Sequence, residues 1–274
     1  MANIFISYGD AKFRKSLAQI KKEAKGVGIF NKIITYSPRD LPDYIKSSPL
    51  FLFPKGGGYW IWKPYIIYKA LQSCQENDVI YYADAGCTLN PTSTEWQVFT
   101  QKMKSCNAIL FQYKPNVQYE GWEAYCSAPS NNSPKILHWM KPSAIHYFTE
   151  YFGCQDFLQY NKIWGGAIII KKTPKLLCFF DQWLKISMFH PELLCDPFGK
   201  ELSEIPTSFN AHRHDQAILT PLIFKYEKID NVLVLPETSE SNKSNAAIAA
   251  TRRVIWTWNF CDKILFHIKN TIFK

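Results

Sequence analysis

A chain of 274 residues, 47% hydrophobic and 20% charged, is long enough to bury the core of one large α/β domain, and its composition excludes disorder. The net charge of +9 is scattered, without the dense basic tract of a nucleic-acid arm. Nucleic acid is therefore set aside as a partner, and phosphorylated small molecules or an anionic membrane surface come first. The eight cysteines include no Cys-x-x-Cys pair, the N-terminus lacks the apolar run of a secretory signal, and no apolar run could span a bilayer. A cytoplasmic, reducing location is expected.

Residues 3–8 (NIFISY) predict a first strand, ended by Gly9-Asp10. The segment AKFRKSLAQIKKEAKGVG reads as a helix with Phe13, Leu17 and Ile20 on one face and Gly26 and Gly28 closing it. Residues 32–36 (KIITY) form a second strand, and a strand–helix–strand opening of this length suggests a parallel, right-handed crossover. In KGGGYWIWKP, residues 55–64, three glycines permit close backbone approach, and Pro64 suits the first turn of the helix that follows. No Gly-Lys-Ser/Thr follows, so this is not a phosphate-binding P-loop, and a flexible turn before a helix is the plainer reading.

Residues 79–83 (VIYYA) are an apolar, aromatic and β-branched run bounded by Asn77-Asp78 and Gly86, which predicts a short, fully buried strand. It runs into Asp84-Ala85-Gly86, placing a carboxylate where a central strand leaves the sheet. Ligands of open α/β sheets bind at that position, although a lone Asp in a turn is also an ordinary turn residue. A helix within residues 91–105, a strand at 108–113 and a long loop at 115–134 carrying Trp122 and Tyr125 come next. Then follow a helix at 143–152, a strand at 164–170 entered through Gly165-Gly166, and a helix starting at Thr173-Pro174. His212-Arg213-His214-Asp215-Gln216 open a further helix, and 231–235 is a late strand.

From Asn245 onward Pro and Gly are absent, and Val254, Trp258, Cys261, Leu265, Ile268 and Ile272 follow a helical period. Arg252, Arg253, Lys263, Lys269 and Lys274 outnumber Asp262 there. The tail, 241–274, therefore reads either as an amphipathic helix at a membrane interface or as a helix docked on the core.

Four segments in this order, GYWIWKPYI (58–66), YYADAG (81–86), WGGAIIIKKT (164–173) and HRHDQAIL (212–219), resemble the GT-A glycosyltransferases, particularly bacterial enzymes that build capsule and lipopolysaccharide glycans. The resemblance implies a Rossmann-like α/β fold with a mixed, mainly parallel sheet flanked by helices, over residues 1–240. It also implies transfer of a hexose, galactose or glucose, from a uridine-type nucleotide sugar to a lipid-linked or polysaccharide acceptor. Such an enzyme would be cytoplasmic, with peripheral contact at the cytoplasmic face of the inner membrane. GT-A enzymes hold a divalent metal on an Asp-x-Asp element; Asp84-Ala85-Gly86 keeps only its first carboxylate.

On this resemblance Asp84 and Asp215 are the catalytic candidates, with Asp215 either a general base for the acceptor hydroxyl or a clamp on the donor sugar. Asp84 and His214 would hold manganese or magnesium, with Lys63, Arg213 or His214 sharing the diphosphate charge. Tyr8 would stack on the base, though it reads equally as a core tyrosine. Gly9, Trp62, Lys63, Gly86, Gly165, Gly166, Arg213 and Gln216 complete the donor site, and Trp122, Trp139 and Trp164 offer faces for a sugar ring. A non-catalytic nucleotide-sugar or glycan-binding protein on the same fold is the alternative, prompted by the missing second carboxylate.

Overall fold

The computed structural model describes residues 1–119, 122, 132–227 and 230–254. In chain order the strands are β1 (Asn3–Tyr8), β2 (Lys32–Tyr36), β3 (Val79–Ala83), β4 (Thr88–Leu89), β5 (Ala108–Gln112), β6 (Ile163–Lys171), β7 (Val232–Pro236) and β8 (Ile248–Ala249). The longer helices are α1 (Arg14–Val27), α2 (Trp62–Ser73), α3 (Glu95–Lys102), α4 (Pro142–Phe152), α5 (Pro174–Phe189) and α6 (His214–Tyr226).

Six strands form one sheet in the order β2-β1-β3-β6-β5-β7. Pairings β1/β2, β1/β3 and β5/β7 are parallel, and β6 runs antiparallel to both β3 and β5. This is the mixed, mainly parallel α/β sheet expected from the sequence. Every residue of β3 is buried, as are Ile163 to Ile170 of β6, so both central strands read as continuous apolar runs rather than alternating ones. Helices α1 and α2 pack on the β1 side, and α6 lies on β6. Helix α1 ends at Gly28, whose φ of 76° is the left-handed conformation glycine adopts freely. Thr173 caps α5, its hydroxyl accepting the Leu176 N–H at 3.1 Å ahead of Pro174.

The register carries Asp84 to its place. Tyr82 and Ala83 pair with Ile168 and Ala167 of β6, and the Asp84 N–H continues the ladder by donating to the Gly166 carbonyl at 2.9 Å. The carboxylate thus leaves the sheet beside the Gly165-Gly166 entry of β6.

The segment after residue 240 differs from a simple helical tail. Residues 246–250 are buried and apolar, four alanines and Ile248, and β8 pairs antiparallel with β4 just beyond the Asp84 turn. Arg253 turns inward to Glu23, its Nη1 2.7 Å from Oε1, instead of joining a basic outer face. The helical period from residue 255 onward, with Lys263, Lys269 and Lys274, lies outside the described residues. Cys178 of α5 is exposed. No helix among the described residues is long and apolar enough to cross a membrane.

Candidate active site

Lys63 stands at the start of α2, and its side chain is almost completely buried. A lone ammonium in such a place would be strongly disfavoured, and the structure surrounds it with oxygen. Nζ donates to Asp215 Oδ2 at 2.6 Å and to the Gly165 carbonyl at 3.0 Å, and it lies 3.3 Å from Asp84 Oδ1. Four elements converge here: the first turns of α2 and α6, the end of β3 and the start of β6.

Burial alone would push the Lys63 ammonium down, but the Asp215 and Asp84 charges outweigh it and the net shift is upward. Asp215 moves the other way from an ordinary salt-bridged carboxylate. Burial raises it, and Lys63 offsets only part of that rise. Two carboxylates share one ammonium, so one negative charge is left over. The Asp84 side chain is 32% exposed and that of Asp215 5%, so the excess charge faces solvent through Asp84. The Tyr82 hydroxyl also donates to Asp84 Oδ1.

Gly165 is required by this pair. A Cβ there would lie 3.0 Å from Asp215 Oδ2 and 3.7 Å from Lys63 Nζ. Gly165→Ala is expected to cost about 1–3 kcal/mol by overpacking. A urea melt with an unchanged midpoint would contradict the tight fit.

Residues 56–60 take five consecutive positive φ values, of 59, 58, 96, 53 and 59°. Three are glycines, but Tyr59 and Trp60 are strained in that region. The amides of residues 57–61 donate to carbonyls of residues 53–58, so these five are already committed within the loop. Its effect is on side chains: the Trp62 indole donates to the Gly56 carbonyl at 2.9 Å, and Trp60 stacks on His214 with centroids 5.2 Å apart.

The other expected site residues fall into two groups. Tyr8 is buried with its ring stacked on Trp62 at 3.9 Å, so the two aromatics expected at the nucleotide cover each other. The Gly9 N–H donates to the Tyr36 carbonyl, and a Cβ there would lie 3.1 Å from Leu17 Cβ; Gly9 serves the packing of α1. Gly166 is covered by the Trp164 ring, which a Cβ would strike at 2.3 Å. Trp122 and Trp139 are buried against each other at 4.6 Å, and with Tyr113 they enclose Lys162 Nζ, which burial pushes well below the usual lysine range. The Arg213 guanidinium lies over Trp139 at 4.7 Å.

Gln216 remains beside the triad, its Oε1 buried without a hydrogen-bond partner and its Cγ against Gly165. Gly86 lies two residues past Asp84, its carbonyl accepting from the Arg253 N–H at 2.8 Å.

The expected metal ligands do not come together as a pair. His214 is held near neutral, its value lowered to about 4 by burial and by Lys55. Its Nδ1 meets the Leu194 carbonyl at 2.7 Å and its Nε2 faces Asp196 at 3.8 Å. His212 is likewise buried, bonded to the Lys141 N–H and the Leu193 carbonyl. Among the described residues no group of three His, Cys, Asp or Glu side chains is arranged to hold a metal ion. Asp84 Oδ1 is engaged by Tyr82 and Lys63, so the residues present fit a cation only through the other oxygen of Asp84, with the remaining ligands brought by the donor.

Sequence reading missed a second buried cluster. Glu237 follows directly on β7, the same strand-end position that singled out Asp84 and the signal that could have found it. Its carboxyl is fully buried, one oxygen accepting the Glu240 N–H while Oε2 has no partner. Burial, with Glu240 adding to it, pushes the Glu237 carboxyl from 4.5 up to about 7. The folded state therefore holds this proton more tightly than the unfolded chain. The stability it contributes is full below pH 4.5 and is lost as pH rises through about 7. Glu237→Gln is expected to flatten that decline, gaining on the order of 2–3 kcal/mol over wild type at about pH 8. Urea unfolding across pH measures it, and parallel curves for the two proteins would refute it.

No protein-family model matches the sequence, and no curated protein matches it. Similar solved structures are glycosyltransferases. One, involved in glycosylating the major capsid of PBCV-1, aligns at a TM-score of 0.47 and 10% identity over 98% of this chain and 100% of its own. Mouse xyloside xylosyltransferase 1 aligns at 0.40 and 10% identity, over 85% and 84%. Core-mannan synthase A from Aspergillus fumigatus, in its Mn/GDP form, aligns at 0.39 and 12% identity, over 81% and 69%.

Proposed function

We propose that this chain is a glycosyltransferase of the GT-A type. It moves a hexose, galactose or glucose, from a nucleoside diphosphate sugar, with uridine as the nucleoside, to a lipid-linked or polysaccharide acceptor in surface-glycan synthesis. The observation that carries this reading is the Asp84 carboxylate, partly exposed at the end of a central strand and fixed from behind by the buried Lys63–Asp215 pair.

In the reaction the bond from the sugar C1 to the diphosphate oxygen breaks, and its electron pair leaves on that oxygen. The acceptor oxygen bonds C1, and its proton passes to water. A manganese or magnesium ion bound with the donor would neutralise charge on the departing diphosphate. Asp84 would hold it through its second oxygen. Lys63 and Tyr82 fix the Asp84 carboxylate in one orientation, and rigid placement of this kind is what electrostatic catalysis needs. Asp215, buried and bonded to Lys63, is better suited to positioning that lysine than to meeting an acceptor hydroxyl. Gln216, with an unsatisfied buried oxygen beside Gly165, is the candidate for a donor-sugar hydroxyl. The net charge of +9 supports work beside an anionic membrane surface.

A screen of nucleotide sugars with manganese or magnesium, read by mass spectrometry for hydrolysis and transfer, tests the proposal. Donor consumption is the expected result. Thermal stabilisation by a nucleotide sugar without product across many acceptors would instead favour a binding protein on this fold.

A further inference from the structure

The triad carries one more negative charge than positive, and the leaving group proposed for it is itself an anion. Like charges this close repel, so cations near the Asp84 turn decide whether a diphosphate can settle there. Lys63 is buried and committed to two carboxylates. Lys55 lies 2.8 Å from both oxygens of Asp196. Arg253 reaches both oxygens of Glu23, at 2.7 and 3.2 Å, and the Cys87 carbonyl at 3.1 Å.

Arg252 is placed differently. Its side chain is 57% exposed, and its Nη2 makes a long 3.4 Å contact with Glu240 Oε1. The backbone on either side is tied across the Asp84 turn: the Arg253 N–H and the Thr251 hydroxyl both donate to the Gly86 carbonyl, and the Thr251 and Thr88 hydroxyls meet at 2.9 Å. The Arg252 Cα lies 3.7 Å from where a Gly86 Cβ would be. Arg252 itself has a φ of 49°, a conformation that is unfavourable for a residue with a side chain and is held here by its bonded neighbours.

We propose that Arg252 is a diphosphate-binding residue of this site. The strap of residues 251–253 holds the Arg252 backbone against Gly86 of the Asp84 turn and leaves its guanidinium exposed, and the planar fork of that group supplies paired donors to phosphate oxygens. This rests on the glycosyltransferase reading and adds to it a binding group from outside the four motif segments. Glu240 holds the guanidinium until the ligand arrives, and the exchange replaces one long carboxylate contact by shorter phosphate ones.

The test is calorimetric titration of the full chain with UDP, and with uridine as the phosphate-free control, in buffer containing manganese. Arg252→Ala is expected to weaken UDP binding about 10- to 100-fold, the range of a charge-assisted hydrogen bond to an ionised group, and to leave uridine binding unchanged. Arg252→Lys should recover part of the loss. UDP affinity equal to wild type in Arg252→Ala overturns the proposal, and so does an equal loss for UDP and uridine, which would report damage to the fold. If wild type turns over a nucleotide sugar and Arg252→Ala matches it in both turnover and UDP affinity, this inference alone fails. If wild type neither binds UDP nor consumes any donor, the glycosyltransferase reading fails with it.

Discussion

Lys63→Met is expected to destabilise the domain by about 3–5 kcal/mol, because it leaves a carboxylate buried without its counter-charge. Asp215 is almost fully enclosed and has Lys63 Nζ at 2.6 Å. Without the ammonium, Asp215 must either ionise in an apolar setting or take up a proton. Urea denaturation measures the effect. The double variant Lys63→Met/Asp215→Leu should recover much of the lost stability, since apolar replacement of a whole buried pair is often neutral or better. A single variant as stable as wild type would show that the pair is not buried as described.

The largest effect on activity is expected from Asp84→Ala. Its side chain is partly exposed, so stability should change by less than about 1 kcal/mol. Donor turnover should fall about 100- to 1,000-fold, the usual consequence of removing one fixed electrostatic group from a reacting centre. Steady-state kinetics and a melting curve on the same preparation separate the two effects. Unchanged turnover would move the chemistry away from the end of β3. Asp84→Asn keeps the shape and the Tyr82 partner, so a comparable fall in that variant assigns the loss to charge.

The sheet was legible because each of its six strands is an apolar, β-branched or aromatic run closed by turn residues. Strands β4 and β8 were not legible, since two residues are too few to show a period, and residues 246–250 read as well for a helix as for a ladder. Asp84 and Asp215 were each singled out by position, one at a strand end and one at a helix start. Their meeting through Lys63 depends on tertiary contacts between positions up to 152 residues apart. Local pattern carries no record of such contacts. Tyr8 and Trp62 were both suspected as ligand-facing aromatics, and each instead satisfied the other's need for a packed ring face. His214 looked like a ligand because of its neighbours in sequence, while its ring nitrogens answer to Leu194 and Asp196. Glu237 shares the strand-end position of Asp84 but lies outside the four segments that carry the resemblance.

The clamp between Arg253 and the first helix has a consequence for how the molecule matures. Ser16 and Arg253 are joined across 237 positions, and Glu23 and Arg253 across 230. A chain leaving the ribosome N-terminus first can form β1, α1 and β2 early from nearby partners. The loop that carries Asp84 stays uncovered until residue 253 has been synthesised, and contacts of such separation form slowly. The Asp84 turn therefore takes its final surroundings only after residue 253 has been made.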